Sequence, residues 1–136
     1  WLASRVVLTM EEGLPPVTAN PTFFEQIIEN LIRNAGKYGD PKFPIEVRAE
    51  TRREYVRCSV ADRGQPLEVG EIEQMFQPFY RHNRTAARVS GLGLGLPVCK
   101  RLAEVQHGRI HAEPRRGGGL EIALEIPIDT LATDEV

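Results

Sequence analysis

Apolar residues fall into a series of runs whose spacing changes along the chain. Residues 5–9 (Arg-Val-Val-Leu-Thr) read as a short strand, and Gly13-Leu14-Pro15-Pro16 follows as a loop. The period then becomes helical. Phe24, Ile27, Ile28, Leu31, Ile32 and Ala35 occupy one arc at 100° per residue, the face expected to meet the sheet. Asn20 is a favoured N-cap and Pro21 suits the first helical position, so this helix is predicted to run to about Tyr38 and to stop at Gly39-Asp40-Pro41. Residues 45–50 and 55–61 alternate, predicting two strands joined across Arg52-Arg53-Glu54. Residues 62–66 read as a loop and 70–75 as a short helix. Residues 81–95 show no period and are rich in Arg, Ser and Gly. A helix is predicted from Pro97 to about Gln106, with Val98, Leu102 and Val105 on one side. Strands near 109–113 and 120–126 close the pattern, separated by Arg115-Arg116-Gly117-Gly118-Gly119.

In this order the middle and the final strand pairs form hairpins. It predicts an α+β fold: a two-layer sandwich with a mixed, mostly antiparallel sheet and helices on one face. A doubly wound parallel sheet is disfavoured. With 136 residues and no internal repeat, residues 1–136 are expected to form one domain. The chain opens on Trp1 and is expected to be a piece of a longer protein. Seventeen Lys and Arg against nineteen Asp and Glu leave a net charge of -2, without the basic excess of a nucleic-acid binder, so no nucleic acid is expected as partner. Two cysteines, Cys58 and Cys99, are too few for a disulfide framework or a zinc site and read as packing residues. No apolar run approaches the roughly 20 residues of a spanning helix. A cytoplasmic location is expected, whether or not the parent protein is anchored in a membrane.

Two features carry candidate chemistry. Asn30 and Asn34 fall one turn apart beside the apolar arc of the first long helix, with Lys37 close to them. Amides there either hydrogen-bond to neighbouring loops or offer carbonyl oxygens to a hard cation such as Mg²⁺, which takes oxygen ligands together with phosphates and water. The second feature is Ser90-Gly91-Leu92-Gly93-Leu94-Gly95-Leu96-Pro97. Glycines at every second position let backbone amides approach an anion, and the helix expected next turns its positive end to the same place. These features describe a phosphate cradle or a flexible hinge. A dinucleotide fold would carry the loop after its first strand, and a P-loop would continue into Gly-Lys-Ser/Thr; neither holds here.

Four segments in one order carry a resemblance. Residues 30–38, Asn-Leu-Ile-Arg-Asn-Ala-Gly-Lys-Tyr, resemble the N box of sensor histidine kinases, and Asp62-Arg63-Gly64 resembles their first glycine box. Phe76-Gln77-Pro78-Phe79-Tyr80-Arg81 resembles the F box, and Gly91-Leu92-Gly93-Leu94-Gly95-Leu96 the second glycine box. The closing Gly117-Gly118-Gly119-Leu120 is similar to the terminal glycine-rich strand pair. The family is the ATP-binding catalytic domain of two-component histidine kinases, in the superfamily of DNA gyrase, the heat-shock chaperones and the MutL ATPases.

The resemblance implies a Bergerat-type fold that binds ATP with Mg²⁺. It makes Asn34 the Mg²⁺ ligand and turns Asn30 to the phosphates or to metal-bound water. It puts Lys37 on phosphate and Tyr38 in the nucleotide pocket. Asp62 would accept a hydrogen bond from the adenine amino group, as an ionised carboxylate does, and Gly64 would let the backbone approach the base. Phe79, Arg81 and Arg84 would belong to the F box and to a lid over the phosphates, together with His82 and Arg88. Gly91, Leu92, Gly93, Leu94, Gly95 and Leu96 would line the cradle. One departure concerns the adenine edge: Gly64-Gln65-Pro66 stands where the family has Gly-x-Gly, and Pro66 lacks both a donor and glycine's freedom.

Hydrolysing members of that superfamily carry a Glu four residues before the metal-binding Asn, as base for water. Asn30 stands there, and an amide takes no proton at neutral pH. The expected chemistry is phosphoryl transfer, with Asn30 and Asn34 at its centre, to a histidine on a separate dimerisation domain. His82, His107 and His111 do not sit in that domain's acceptor motif. A response-regulator receiver domain would be the next partner, the isolated domain would be monomeric and the parent a homodimer. Two alternatives share the fold: a serine-kinase anti-sigma factor, and a degenerate module that binds nucleotide without catalysis.

Overall fold

The computed structural model describes residues 2–65, 68–77 and 95–130. Five strands form one sheet in the order β1-β2-β3-β5-β4: β1 (Val6–Met10), β2 (Ile45–Arg52), β3 (Tyr55–Asp62), β4 (Arg109–Pro114) and β5 (Leu120–Pro127). Only β1 is parallel to its neighbour, β2; the pairs β2–β3, β3–β5 and β4–β5 are antiparallel. The expected mixed, mostly antiparallel α+β sheet is therefore present, with both expected hairpins. The last of the described strands, β5, lies second from the edge, between β3 and β4.

Helix α1 (Pro21–Tyr38) starts as its sequence dictates. The Asn20 side chain accepts from the N–H groups of Thr22 and Phe23 at 3.0 and 3.2 Å, and Pro21 occupies the first turn, where its missing donor is not needed. Ile27, Leu31 and Ala35 are buried, and Phe24, Ile28 and Ile32 pack around them. The helix ends where Gly39 N–H returns to the Ala35 carbonyl at 2.8 Å. Helix α2 is the short Val69–Gln74 and α3 is Gly95–Glu104. The start of α3 lies two residues before the expected Pro97, because proline is tolerated in a first helical turn. Its buried stripe is Leu96, Cys99 and Ala103. Of the side carrying Val98, Leu102 and Val105, Leu102 packs against the core while Val98 and Val105 are exposed. Small residues at 99 and 103 let α3 lie close to α1, and Cys99 Sγ sits 3.9 Å from the Ile27 carbonyl.

All three helices cover one face of the sheet. Ile45, Val47, Val60, Ile122, Leu124 and Ile126 meet them there, at alternate positions of their strands. The other face carries charges: Arg57 bonds Glu121 and Glu113 at 3.1 and 3.3 Å, and Arg109 bonds Glu125 at 2.8 Å. The helical layer stops short of the β1 edge. Leu8 lies opposite Val47 on the helix face, yet it is 60% exposed and Val47 only 8%.

Candidate functional site: a glycine-collared aspartate beside an asparagine helix

Strand β3 ends at Asp62, paired with Leu120 of β5 and pointing to the helix face. The residue is 5% exposed. Its Oδ1 accepts the Gly64 N–H at 2.8 Å, so the carboxylate caps the turn and keeps further lone pairs for another donor. Burial pushes its pKa up. The Gly64 and Leu120 N–H groups and the charges of Arg115 and Arg5 act against that rise.

Three glycines from separate segments form a collar around Asp62. A β-carbon on Gly39 would lie 2.6 Å from the Ala35 carbonyl and 2.9 Å from Asp62 Cβ. One on Gly64 would strike the Tyr38 carbonyl, and one on Gly119 would strike the Asp62 carbonyl. Gly119 also has a φ of +95°, which side-chain-bearing residues rarely adopt. The end of α1, the end of β3 and the β4–β5 turn thus meet at one carboxylate.

The second half of the site lies along α1. The Asn30 Nδ2 donates to the Gln26 carbonyl at 2.9 Å, which fixes the amide and turns Oδ1 outward. That oxygen faces the start of α3: a β-carbon on Gly95 would lie 3.6 Å from it. Asn34 follows one turn later, half-buried, its side chain making no hydrogen bond to a described residue. Lys37 is exposed, with no ion pair among the described residues, and Tyr38 is half-buried.

The profile of the family described as "Histidine kinase-, DNA gyrase B-, and HSP90-like ATPase" matches residues 19–130. The chain belongs to that ATPase family. The sensor protein KdpD of Escherichia coli (strain K12) is 33% identical over 129 residues, covering 95% of this chain and 14% of KdpD. The sensor histidine kinase CpxA of the same strain is 33% identical over 128 residues, covering 93% of this chain and 28% of CpxA. The chain therefore spans well under a third of these relatives. The catalytic domain of histidine kinase ThkA superposes with a TM-score of 0.77 at 27% identity, covering 90% of this chain and 78% of that one. Full-length ShkA in complex with AMPPNP shares the fold, with a TM-score of 0.77 at 24% identity, covering 92% of this chain and 26% of that one.

Within this ATPase fold the structure brings together Asn30, Gly95 and Leu96 at the α1–α3 junction, with Asn34, Lys37 and Tyr38 on the following turns of α1. It places Asp62 and Gly64 at the far end of α1, where Tyr38 and Gly64 touch. Phe79, Arg81, Arg84, Gly91, Leu92, Gly93 and Leu94 lie outside the described residues, as do Pro66, His82 and Arg88. Among the described residues no three His, Cys, Asp or Glu side chains gather to hold a metal. The donor set at Asn30 and Asn34 instead suits a cation that brings its own phosphates and waters, as Mg²⁺ does.

Sequence reasoning did not assign Gly39, Glu46, Arg115 or Arg5 to this site. Gly39 read only as a helix stop. Arg115 pairs with Glu46 across 69 residues, a separation that no local pattern reveals. Arg5 precedes β1 and donates Nη2 to the Asp40 and Phe43 carbonyls at 3.2 and 3.3 Å, while its buried Nε has no partner among the described residues.

Proposed function

We propose that this chain binds Mg-ATP and donates the γ-phosphoryl group to a histidine on a separate dimerisation domain, as one part of a two-component sensor kinase. The observation that carries the reading is the meeting of Asn30 with Gly95 at the start of α3. A helix N-terminus offers free N–H groups and a positive dipole end to phosphate, and here the described start of α3 lies beside the Asn30 amide oxygen, with Asn34 one turn further along α1. The collared Asp62, at the other end of α1, supplies the acceptor for adenine.

Each residue then has a task. Asp62, ionised, accepts the adenine amino hydrogen, and Gly64 leaves room for the base. Tyr38 walls the pocket and Lys37 meets phosphate. Asn34 holds Mg²⁺, which neutralises phosphate charge when bound, and Asn30 orients the phosphates or the water around it. The residues proposed from outside the described segments complete the site: Phe79, Arg81 and Arg84 over the phosphates, with Gly91, Leu92, Gly93, Leu94, Gly95 and Leu96 as cradle. Phosphoryl transfer needs positioning and charge neutralisation more than proton abstraction. Asn30 stands where hydrolysis would need a carboxylate, so transfer to another group is favoured over attack by water.

The partners implied are the His-bearing dimerisation domain of the parent kinase and, after it, a response-regulator receiver domain. The names of the sensor kinases KdpD and CpxA support that assignment. No helix among the described residues is long and apolar enough to cross a membrane. The test adds a His-bearing helical dimer in trans to the chain with Mg-ATP. The expected product is label on histidine, labile to acid and stable to base. Acid-stable label on Ser or Thr points to the anti-sigma class, and brisk hydrolysis by the chain alone overturns the role given to Asn30.

A further inference from the structure

Arg115 stands in the turn between β4 and β5, and its guanidinium reaches Glu46 of β2, with Nε 3.1 Å from Oε1 and Nη2 on the same oxygen. Strands β3 and β5 lie between those two elements in the sheet, so the side chain crosses the ends of both. Glu46 is opposite Ala61, and Asp62 is opposite Leu120, which puts the crossing beneath the candidate adenine corner. The Arg115 N–H donates to the Gly119 carbonyl at 2.9 Å, and Gly119 is the glycine pressed against the Asp62 backbone. Only 13% of the Arg115 side chain is exposed. Covering a guanidinium this far has a desolvation cost that a solvated surface pair avoids, and its partners here are fixed.

We propose that Arg115, tied down by Glu46, is the positioning residue of Asp62. It locks the β4–β5 turn, and with it Gly119, onto the Asp62 backbone, and its charge favours the accepting form of the buried carboxyl. The inference rests on the adenine-reading role proposed above. Geometry and charge converge on it: the same side chain closes the turn and lies among the groups that oppose the upward push of burial on Asp62. The other charged groups at this corner have different anchors. Arg5 is bound to the Asp40 and Phe43 carbonyls. Arg63 lies over the Phe43 ring at 4.9 Å. Asp40 donates its N–H to the Arg63 carbonyl at 3.2 Å. Glu46 is held by Arg115 itself.

Two readouts on the full chain test this, with Arg115→Met and Arg115→Lys compared to the wild type. Carbon NMR of the Asp62 carboxyl in the free protein follows its titration. Calorimetry with ADP across pH follows its use. In Arg115→Met, Asp62 titrates at higher pH, and the acid limb of ADP binding moves the same way. On that limb affinity falls roughly threefold or more and recovers as pH rises. Arg115→Lys keeps the charge without the fork and moves Asp62 in the same direction by less, so it carries the test if the Met variant unfolds. An unchanged Asp62 titration, or an affinity loss equal at every pH, overturns the proposal. A moved titration that ADP binding does not follow leaves Arg115 in its positioning role and removes the adenine role of Asp62.

Discussion

Gly119 lies so close to Asp62 that no β-carbon fits between its backbone and the Asp62 carbonyl oxygen. The two residues are nearly paired in the β3–β5 register, where Asp62 faces Leu120. The approach joins a turn in the last hairpin to the carboxylate at the end of a central strand.

Gly119→Ala is therefore expected to displace Asp62 as well as strain the turn. Gly118 is a built-in control: its φ of +113° is also one that side-chain-bearing residues rarely adopt, but a β-carbon there meets nothing within 4 Å. Gly118→Ala should cost only the left-handed strain, about 1–2 kcal/mol. Gly119→Ala should cost more and weaken nucleotide binding, which Gly118→Ala should leave alone. Urea melts and nucleotide titration on both variants check this; equal effects would remove Gly119 from the collar.

Asp62→Asn is expected to trade function for stability. The folded-state pKa of Asp62 is raised, chiefly by burial. The folded state therefore holds its proton more tightly than the unfolded one, and this group's contribution to stability falls as pH rises from the unfolded to the folded pKa. An amide removes that loss, so the variant's melting temperature should exceed the wild type's at neutral pH and lose the advantage in acid. Affinity for ATP and ADP should fall alike, by about 1.5–3 kcal/mol for one charged hydrogen bond. Calorimetry and thermal melts at two pH values measure both. ATP and GTP binding equally well to the wild type would contradict adenine reading.

Asn34→Ala should abolish the Mg²⁺-dependent part of ATP binding and leave the fold intact. The side chain is only half-buried and bonds no described residue, so its loss should change stability by no more than about 0.5 kcal/mol. Titration of ATP with Mg²⁺ and with chelator separates the two; an unchanged Mg²⁺ effect would remove the metal role.

The Cys99 thiol is fully buried between α3 and α1, and burial pushes its pKa up to about 11. Alkylation of Cys99 at neutral pH should therefore occur only on unfolding, whereas the partly buried Cys58, whose thiol pKa burial also pushes up, should react slowly with the folded chain. Mass spectrometry of labelled peptides over a urea series reads this, and early modification of Cys99 would contradict its packing.

The fold was legible because its signals are local. Asn20-Pro21 and the arc from Phe24 to Ala35 carry α1, and alternation carries β2, β3, β4 and β5. The early start of α3 was hidden because Gly95 reads as loop and Pro97 as a first residue. Its buried stripe was hidden because Cys99 and Ala103 weigh less in an apolar pattern than Val98 and Val105. The site divides the same way. Asn30, Asn34, Asp62 and Gly64 lie in short contiguous segments and were singled out. The collar of Gly39 and Gly119 and the Arg115–Glu46 tie exist only once β5 has been inserted beside β3, and no window of sequence contains them.

That insertion bears on how the chain comes to be folded as it is synthesised. Strand β5 carries Leu124 and Ile126, both essentially unexposed, and it follows the four strands it completes in chain order. Until it emerges, β3 has a neighbour on one side only, and the apolar faces of α1 and α3 have half a sheet to cover. A nascent chain stalled before Leu120 should stay open to proteases and chaperones, with its long-range pairings still to form. The pocket that would hold a nucleotide thus arises only once β5 has been made, as the strand that completes the hydrophobic layer also delivers Gly119 to Asp62.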